Sequence, residues 1–508
     1  MNDHQPTDIA GFLARRWKTL DDLPALRHGE TGLSYRQLSG QVGYWAQRLR
    51  EAQVEPGDRV MLLFPNTPAL LVAAFAVLAC GAIVESFDDK AGRQRLDYVV
   101  GLTEPKLCLH SAGVHPPEGV DALELVLDFN RDAGGSNLDD IPPCAGGDTA
   151  ILLFSSGSTG LPKGVEITHR QQIAIATHLA AGVGLRKGMR ELVVAPLSHS
   201  DGWQRALAAL ATGVELCFPE GLITIKQILD DVSSLQIDTL FLHPAWIRYL
   251  LRCNQEEVQR AFAGVVSLET GSATLWPEEV ARLRDWLADT AIHIHYGISE
   301  SPRSTLLDLG ARPDKLAGVG RPLPGVEIQI LGEGGGTVAP GEVGQIVIAG
   351  QHLSRRYWRM PGLSEERFRD GWLLTGDYGR LDGEGFLSFA GRKDDLIASG
   401  GFCFYPAEVE SELGEIPGVA DYLVVGIPDA KGVLGEEPWL FVVPAGPDWS
   451  SRQFFLHARN RLEPYMMPRR VVVLDTIPRT DSGKPHRQAL RSRYTPSNVH
   501  PHQEPRTP

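Results

Sequence analysis

The run Arg59-Val-Met-Leu-Leu-Phe64 is apolar at consecutive positions, and a strand tolerates that only when both faces of its sheet are covered. Pro65-Asn-Thr-Pro68 interrupts the run. Residues 69–79 are then apolar over a helical length, and residues 82–87 read as a second buried strand. This strand–helix–strand order predicts a parallel sheet with helices on its faces. Strands of the same kind are predicted at 150–154, 191–195 and 238–242. Residues 33–53 predict an amphipathic helix with Leu38, Val42, Trp45, Ala46 and Leu49 on one face.

The pattern changes twice further on. From Gly318, glycines and prolines punctuate short strands at 326–331 and 344–348. After Gly391-Arg-Lys-Asp-Asp395 the chain returns to short α+β segments at 406–413, 421–428, 440–443 and 471–474. A hinge at Asp394 would divide residues 1–393 from 394–492. The tail, 493–508, is polar and rich in Pro and His, and is expected to be disordered. With 508 residues, 43% of them hydrophobic, the chain is long enough for such a division. Its net charge of −14 argues against nucleic acid as a partner, because phosphate binding calls for a basic face. The six cysteines lack metal-ligand or redox spacing, as expected of reduced thiols in the cytoplasm. The first residues lack the basic and apolar regions of a signal peptide. The longest apolar run, near residues 70–84, is too short to cross a membrane.

The strand at 150–154 leads into Ser155, Ser156, Gly157, Ser158, Thr159 and Gly160, with Lys163 behind them. Small residues let backbone approach phosphate oxygens, hydroxyls and N–H groups donate to them, and the lysine adds a cation. The spacing is not that of a Walker A loop, and taken alone it also suits a surface turn. Further segments follow: Gly271-Ser272-Ala273, Tyr296-Gly297-Ile298-Ser299-Glu300, Thr375-Gly376-Asp377, Gly391-Arg392 and Pro478-Arg-Thr-Asp-Ser-Gly-Lys484.

In this order, from about residue 33 to 491, these segments resemble the ANL adenylating enzymes. That superfamily comprises acyl- and aryl-CoA synthetases, adenylation domains of nonribosomal peptide synthetases, and luciferases. The resemblance implies an α/β fold: a large N-terminal region of two α/β subdomains plus a small β-barrel, then a mobile α+β C-terminal domain. It implies ATP and Mg²⁺ as cofactors. The loop from Ser155 to Lys163 would grip the pyrophosphate side of ATP. Gly271, Ser272 and Ala273 would flank adenine, Tyr296 would stack on it, and Gly297 would border nucleotide and acid. Ser299, where the family has Thr, would touch the α-phosphate, and Glu300 would help hold Mg²⁺. Asp377 and Arg392 would contact ribose, Asp394 would be the hinge, and Lys484 the catalytic lysine. The residue types suit the chemistry. A carboxylate must attack a phosphate, both are anionic, and catalysis is charge neutralisation with in-line positioning.

In this family the acyl-adenylate passes to a thiol, that of CoA or of the phosphopantetheine arm of a carrier protein. Ala398-Ser-Gly-Gly-Phe402 would line the path of that arm, or else form only a β-turn. Arg459, Arg461, Arg469, Arg470, Arg487 and Arg491 suit an acidic carrier protein or the phosphates of CoA. Pro196-Leu-Ser-His199-Ser-Asp201-Gly202 resembles the family's Pro-Leu-x-His-x-x-Gly segment. There His199 would be the aromatic gate of the acyl pocket and Asp201 would face the bound acid. Ordinary acyl- and aryl-CoA synthetases carry an apolar or aromatic residue at position 201. A buried carboxylate needs a partner, and a substrate ammonium would supply one. Peptide-synthetase domains for α-amino acids carry their Asp one position earlier, at Ser200 here. The displaced Asp is similar to that of stand-alone β-amino-acid adenylating enzymes of macrolactam antibiotic biosynthesis, which load a carrier protein. Asp201 could instead be the N-cap of the next helix, with Gln204 completing a capping box. Arg303 is a further polar residue near the site without an assigned role. Residues 85–89, Glu-Ser-Phe-Asp-Asp, depart from the apolar stretch usual in relatives, and no function is read from them.

Overall fold

The computed structural model describes residues 8–129, 138, 148–156, 162–400, 402–430, 433–447, 449–459, 461–480 and 484–495. Two sheets build its larger part. In the six-stranded sheet, Arg59–Leu63 lies parallel between Ile83–Phe87 and Leu107–His110. Thr149–Ser156 joins parallel to Ile83–Phe87 and then turns back into the antiparallel Pro162–Thr168. The nine-stranded sheet sets Thr239–Phe241, Ser267–Gly271 and Ala291–Ile298 side by side and parallel. Ser301–Asp308 folds back antiparallel on the last of these.

The expected parallel strands are therefore present, displaced at their ends by a residue or more. The largest difference is at 191–195, where pairing covers Arg190–Leu192, and the chain then leaves the sheet toward Pro196. Helix Pro68–Ala79 is apolar on every side because it is buried on every side, inside a core that draws on both sheets. Helix Tyr35–Glu51 starts at a capping box. Gln37 N donates to Ser34 Oγ at 3.2 Å, and Ser34 N donates to Gln37 Oε1 at 2.8 Å. Its buried face is the one predicted from the spacing.

The β-rich section forms a five-stranded antiparallel sheet that includes Val326–Leu331, Gly344–Gly350, Trp372–Leu381 and Leu387–Arg392. Past it, Val419–Pro428, Glu436–Pro444 and Arg470–Val473 make a three-stranded sheet packed by helices Pro406–Leu413 and Ser451–Arg459. This smaller unit rests on the larger through Trp276 stacked on Tyr422, ring centroids 5.0 Å apart, and an Arg282–Glu415 ion pair of 3.1 Å. Among the described residues no helix is long and apolar enough to cross a membrane. The described cysteines, Cys80, Cys108, Cys217, Cys253 and Cys403, are free.

Glu85 lies wholly buried in strand Ile83–Phe87. Thr103 Oγ1 is 3.1 Å from Glu85 Oε2 and 3.0 Å from the Val99 carbonyl, yet the hydroxyl has one proton for two acceptors. A neutral Glu85 that donates its own proton satisfies both. Burial agrees with this, pushing the carboxyl up to about 8 against the opposing pull of Thr103 and Arg59. The folded value lies above the unfolded one. The associated stability is therefore full at acidic pH and is lost as pH rises toward 8, by about 1.4 kcal/mol per pH unit between the two values. Glu85→Gln should remove that loss. Its thermal midpoint, compared with the parent's, should gain several degrees between about pH 5 and about pH 8.5. Parallel pH profiles for the two proteins would show that Glu85 is ionised in the fold.

Candidate active site

The central parallel strands end at one edge, and their C-terminal ends are where an open α/β sheet holds ligands. Phe241 and Gly271 close two adjacent strands there, and Tyr296 lies two residues before the end of the third. Helix Ser200–Thr212 runs above them. Gly202 lets that helix sit close, since a Cβ there would meet the Pro196 carbonyl oxygen at 2.3 Å.

Asp201 is not the helix N-cap. His199 holds that position, Asp201 is the second helical residue, and no capping box forms. Gln204 is instead buried, its Oε1 accepting from Arg303 Nη1 at 2.8 Å. Asp201 belongs to a buried charge cluster. Arg205 Nε donates to Glu191 at 2.8 Å and its Nη1 to Glu269 at 3.0 Å. Arg303 Nε donates to Glu269 at 2.9 Å, and its Nη1 lies 3.8 Å from Asp201 Oδ1. His295 has Nδ1 2.7 Å from Glu269 and Nε2 3.6 Å from Asp201. Ser272 Oγ donates to the same Asp201 carboxylate. Gly271 makes room for the His295 ring, because a Cβ at Gly271 would lie 2.5 Å from it.

Arg303 adopts φ of +47°, a strained value for a side-chain-bearing residue, and its contacts hold it there. Burial raises the Asp201 and Glu269 carboxyls, but neighbouring Arg303 and His295 bring both well below the usual carboxylate range. Burial lowers His295, and the facing Glu269 and Asp201 carboxylates more than reverse it, so the imidazole ends above its ordinary value. His243 faces Asp201, Lys484, His199 and His295, and burial keeps it below its ordinary value.

A second constellation lies toward the β-rich sheet. Asp377 and Arg392 are direct partners across the hairpin of Trp372–Leu381 and Leu387–Arg392. Tyr296 OH donates to Asp377 Oδ2 at 2.8 Å. Asp377 Oδ1 accepts no hydrogen bond among the described residues, although Arg392 Nε lies 3.2 Å away. Burial raises the Asp377 carboxyl, with Arg392 and Tyr296 opposing. Glu300 is buried in the turn after Ala291–Ile298, and Tyr357 OH donates to it at 2.6 Å. Lys163 Nζ stands 6.0 Å from the centre of the same tyrosine ring. Ser299 and Gly297 are half-buried beside it, while Ala273 is exposed.

Lys484 reaches this cleft from the smaller unit. Burial lowers its ammonium. Asp201, Asp377 and Glu300 pull it back up, and Arg392 presses it further down. Asp394 is exposed in the single turn Lys393–Asp395. Gly157, Ser158, Thr159 and Gly160 lie outside the described residues, as do the side chains of Ser155 and Ser156. Among the described residues, no group of three or more His, Cys, Asp or Glu could hold a metal ion.

The Ala398 segment pairs as a hairpin, Ile397–Ser399 against Phe402–Phe404, with Gly400 at φ +59°. The arginine-rich face is smaller than the sequence suggests. Arg487 is tied to Glu410 at 2.6 Å, Arg491 to Glu436, and Arg470 lies 4.8 Å above Trp439. Arg452, Arg459, Arg461 and Arg469 remain exposed.

Sequence reasoning missed Glu191, Arg205, Glu269, His243, His295 and Tyr357. Charged residues inside apolar strand or helix patterns, as in Ser-Leu-Glu269-Thr-Gly and Arg205-Ala-Leu-Ala-Ala-Leu, were the available signal. Nothing in the spacing marks Tyr357. Arg205→Met would leave Glu191 and Glu269 short of a cation and should cost about 3–5 kcal/mol. Chemical denaturation would read this as a clear fall in midpoint, and an unchanged midpoint would mean that the carboxyls take up protons instead.

A model of the AMP-binding enzyme family matches residues 13–358, and one of the AMP-binding enzyme C-terminal domain matches residues 408–484. Feruloyl-CoA synthase of an Amycolatopsis species is 32% identical over 514 residues, spanning 96% of this chain and 99% of that protein. The ATP-bound structure of MatB from Rhodopseudomonas palustris superimposes with a TM-score of 0.82 at 26% identity, covering 96% of this chain and 100% of that one. Amide bond synthetase McbA from Marinactinospora thermotolerans gives a TM-score of 0.84 at 26% identity, with the same coverage. The chain thus belongs to the AMP-binding enzymes of the ANL superfamily, as an ATP-dependent ligase that activates a carboxylic acid by adenylation.

Proposed function

We propose that this ligase adenylates an amine-bearing acid, a β-amino acid, and delivers it to the phosphopantetheine thiol of a carrier protein. The observation that carries the choice of acid is a charge count. Beneath the acyl pocket two guanidiniums, Arg205 and Arg303, face three carboxylates, Glu191, Glu269 and Asp201. The fixed charges are one cation short. Asp201 is the carboxylate open to the pocket, its side chain 15% exposed against 3% for Glu191 and 0% for Glu269. In the empty site His295 can make up that charge as imidazolium; an ammonium at Asp201 can take its place, and an uncharged acyl chain cannot.

In the first step a carboxylate oxygen of the acid bonds to the α-phosphorus of ATP and pyrophosphate leaves. Tyr296 carries the adenine on its ring. Asp377, whose Oδ1 has an acceptor position to spare, takes the ribose hydroxyls beside Arg392. The loop from Ser155 to Lys163 holds the leaving phosphates, and Ser299 donates to the α-phosphate. His199, with Gly297, bounds the pocket of the acid. Lys484 offsets the negative charge that builds at the α-phosphorus. Glu300, oriented by Tyr357, suits Mg²⁺, which commonly takes one or two carboxylates and completes its shell with substrate phosphates and water. When bound, the ion neutralises phosphate charge. Turning about Asp394 would withdraw Lys484, with residues 394–492 moving against 1–393, and admit the thiol.

CoA is the second reading for the thiol. The feruloyl-CoA synthase named above favours it, and the exposed arginines Arg452, Arg459, Arg461 and Arg469 suit either acceptor.

Carboxylate-dependent ATP–pyrophosphate exchange over fatty, aryl, α-amino and β-amino acids tests the choice of acid, and a fatty or aryl acid as best substrate would sink it. Lys484→Ala should lower that exchange by about 100-fold or more while ATP still binds. Exchange at the parent rate in that variant would remove Lys484 from the chemistry. Asp201→Asn should raise KM for the amino acid by about 10-fold or more, because it removes a charged hydrogen-bond acceptor. Supplying CoA and a holo carrier protein separately, and measuring thioester, decides the acceptor.

A further inference from the structure

We propose that His295 is the resident counter-ion of Asp201, and that arrival of a substrate ammonium expels its proton. The inference rests on the amine-bearing acid proposed above.

The geometry of the ring carries it. Both nitrogens of His295 face carboxylates, Glu269 at 2.7 Å and Asp201 at 3.6 Å. A neutral imidazole has one N–H and one lone pair, so one carboxylate would meet a lone pair. The imidazolium sets positive charge against both, although Nδ1 makes no well-aligned hydrogen bond and Nε2 stands beyond hydrogen-bond reach of Asp201. The ring is held against turning away. It stacks on Phe241 with centroids 5.7 Å apart at 26°, and it packs against Gly271, where no Cβ fits. With His295 charged, three cations balance three carboxylates. With it neutral, the cluster carries one uncompensated negative charge in a buried place.

Other charged groups face the same point. Arg303 is committed to Glu269 and Gln204. Arg205 is committed to Glu191 and Glu269. His243 is pressed toward neutrality by burial and by the cations around it. Lys484 approaches from the smaller unit and is the group proposed to turn to the α-phosphate. His295 is therefore the group whose charge is free to change. An ammonium docked at Asp201 makes a fourth cation, and the cluster returns to balance when His295-H⁺ gives its proton to solvent. The substrate's own ammonium keeps its protons. Proton and substrate then compete, so amino-acid affinity rises with pH while His295 is still titrating, and the affinity of an uncharged acyl group does not.

The test is calorimetric titration of the full-length protein with β-alanyl sulfamoyladenosine, a non-reacting adenylate mimic, and with its propanoyl counterpart. Each is run near neutral pH in a buffer of high and one of low ionisation enthalpy. The expected result is release of up to one proton on binding the β-alanyl ligand, none with the propanoyl ligand, and none with either in His295→Gln. Preferential binding of the β-alanyl ligand without proton release would overturn the role of His295 and leave the choice of substrate standing. Proton release that persists in His295→Gln would overturn it too, assigning the proton to another group. Equal affinity for both ligands would instead overturn the amine-bearing substrate, and this inference with it. If His295→Gln fails to fold, His295→Asn is titrated in its place, and proton release that persists in that variant would overturn the role of His295.

Discussion

Burying charge beneath the proposed substrate pocket is the constraint on which this site depends. Each of Arg205, Arg303, Glu191 and Glu269 would cost several kcal/mol to desolvate alone, and only mutual pairing at hydrogen-bond distance offsets that cost. Pairing at 2.8–3.0 Å demands rigid neighbours, and the three parallel strands supply them. Glu269 and His295 project from adjacent strands in fixed register, Glu269 opposite His293 and Gly271 opposite His295. Arg303 follows on the antiparallel return strand. Asp201, Gln204 and Arg205 come to the same point from helix Ser200–Thr212. The sheet edge that would position an adenylate also builds the floor that would select the acid.

The two halves of the cleft handle charge in opposite ways. On the acid side the cluster is buried and balanced when His295 is charged, so a ligand that adds positive charge must displace a proton. On the nucleotide side the groups are fewer and incomplete: Asp377 keeps a spare acceptor and Glu300 rests on one tyrosine hydroxyl. An incomplete site gains more from a highly charged visitor such as a triphosphate than a satisfied one does. Affinity for nucleotide and selectivity for acid are in this way separable properties of one pocket.

The fold was largely legible in the sequence because its central strands are apolar on both faces and its helices switch period cleanly from them. Residues 59–64 and 82–87 could hardly have been anything else. The residues proposed to hold nucleotide were legible as ordered motifs, and the structure brings Tyr296, Asp377, Arg392, Glu300 and Lys484 to one cleft. The acid side was legible only in part. Asp201 drew attention as a carboxylate in an unusual place, yet its partners Arg303 and His295 lie about a hundred residues away and on different strands. Pairwise charge complementarity across such separations leaves no mark in local spacing. The capping alternative failed for a related reason: Gln204 had the right offset from Asp201, but Arg303 claimed it.

Glu85 illustrates the same limit in a simpler setting. A glutamate inside an apolar strand looks like an interruption, and the segment gave no hint of how it would be accommodated. The structure answers with one threonine hydroxyl, and burial favours the neutral carboxyl. Where burial outweighs the pull of a cation that is not paired with it, as Arg59 is not with Glu85, a carboxyl goes neutral. Where it has too few cations to share, as at Asp201, it borrows a proton through a neighbouring imidazole. The difference matters for function. A proton on Glu85 is sealed in the core and answers only to unfolding, whereas one on His295 stands a single side chain from the acyl pocket and can answer to a ligand.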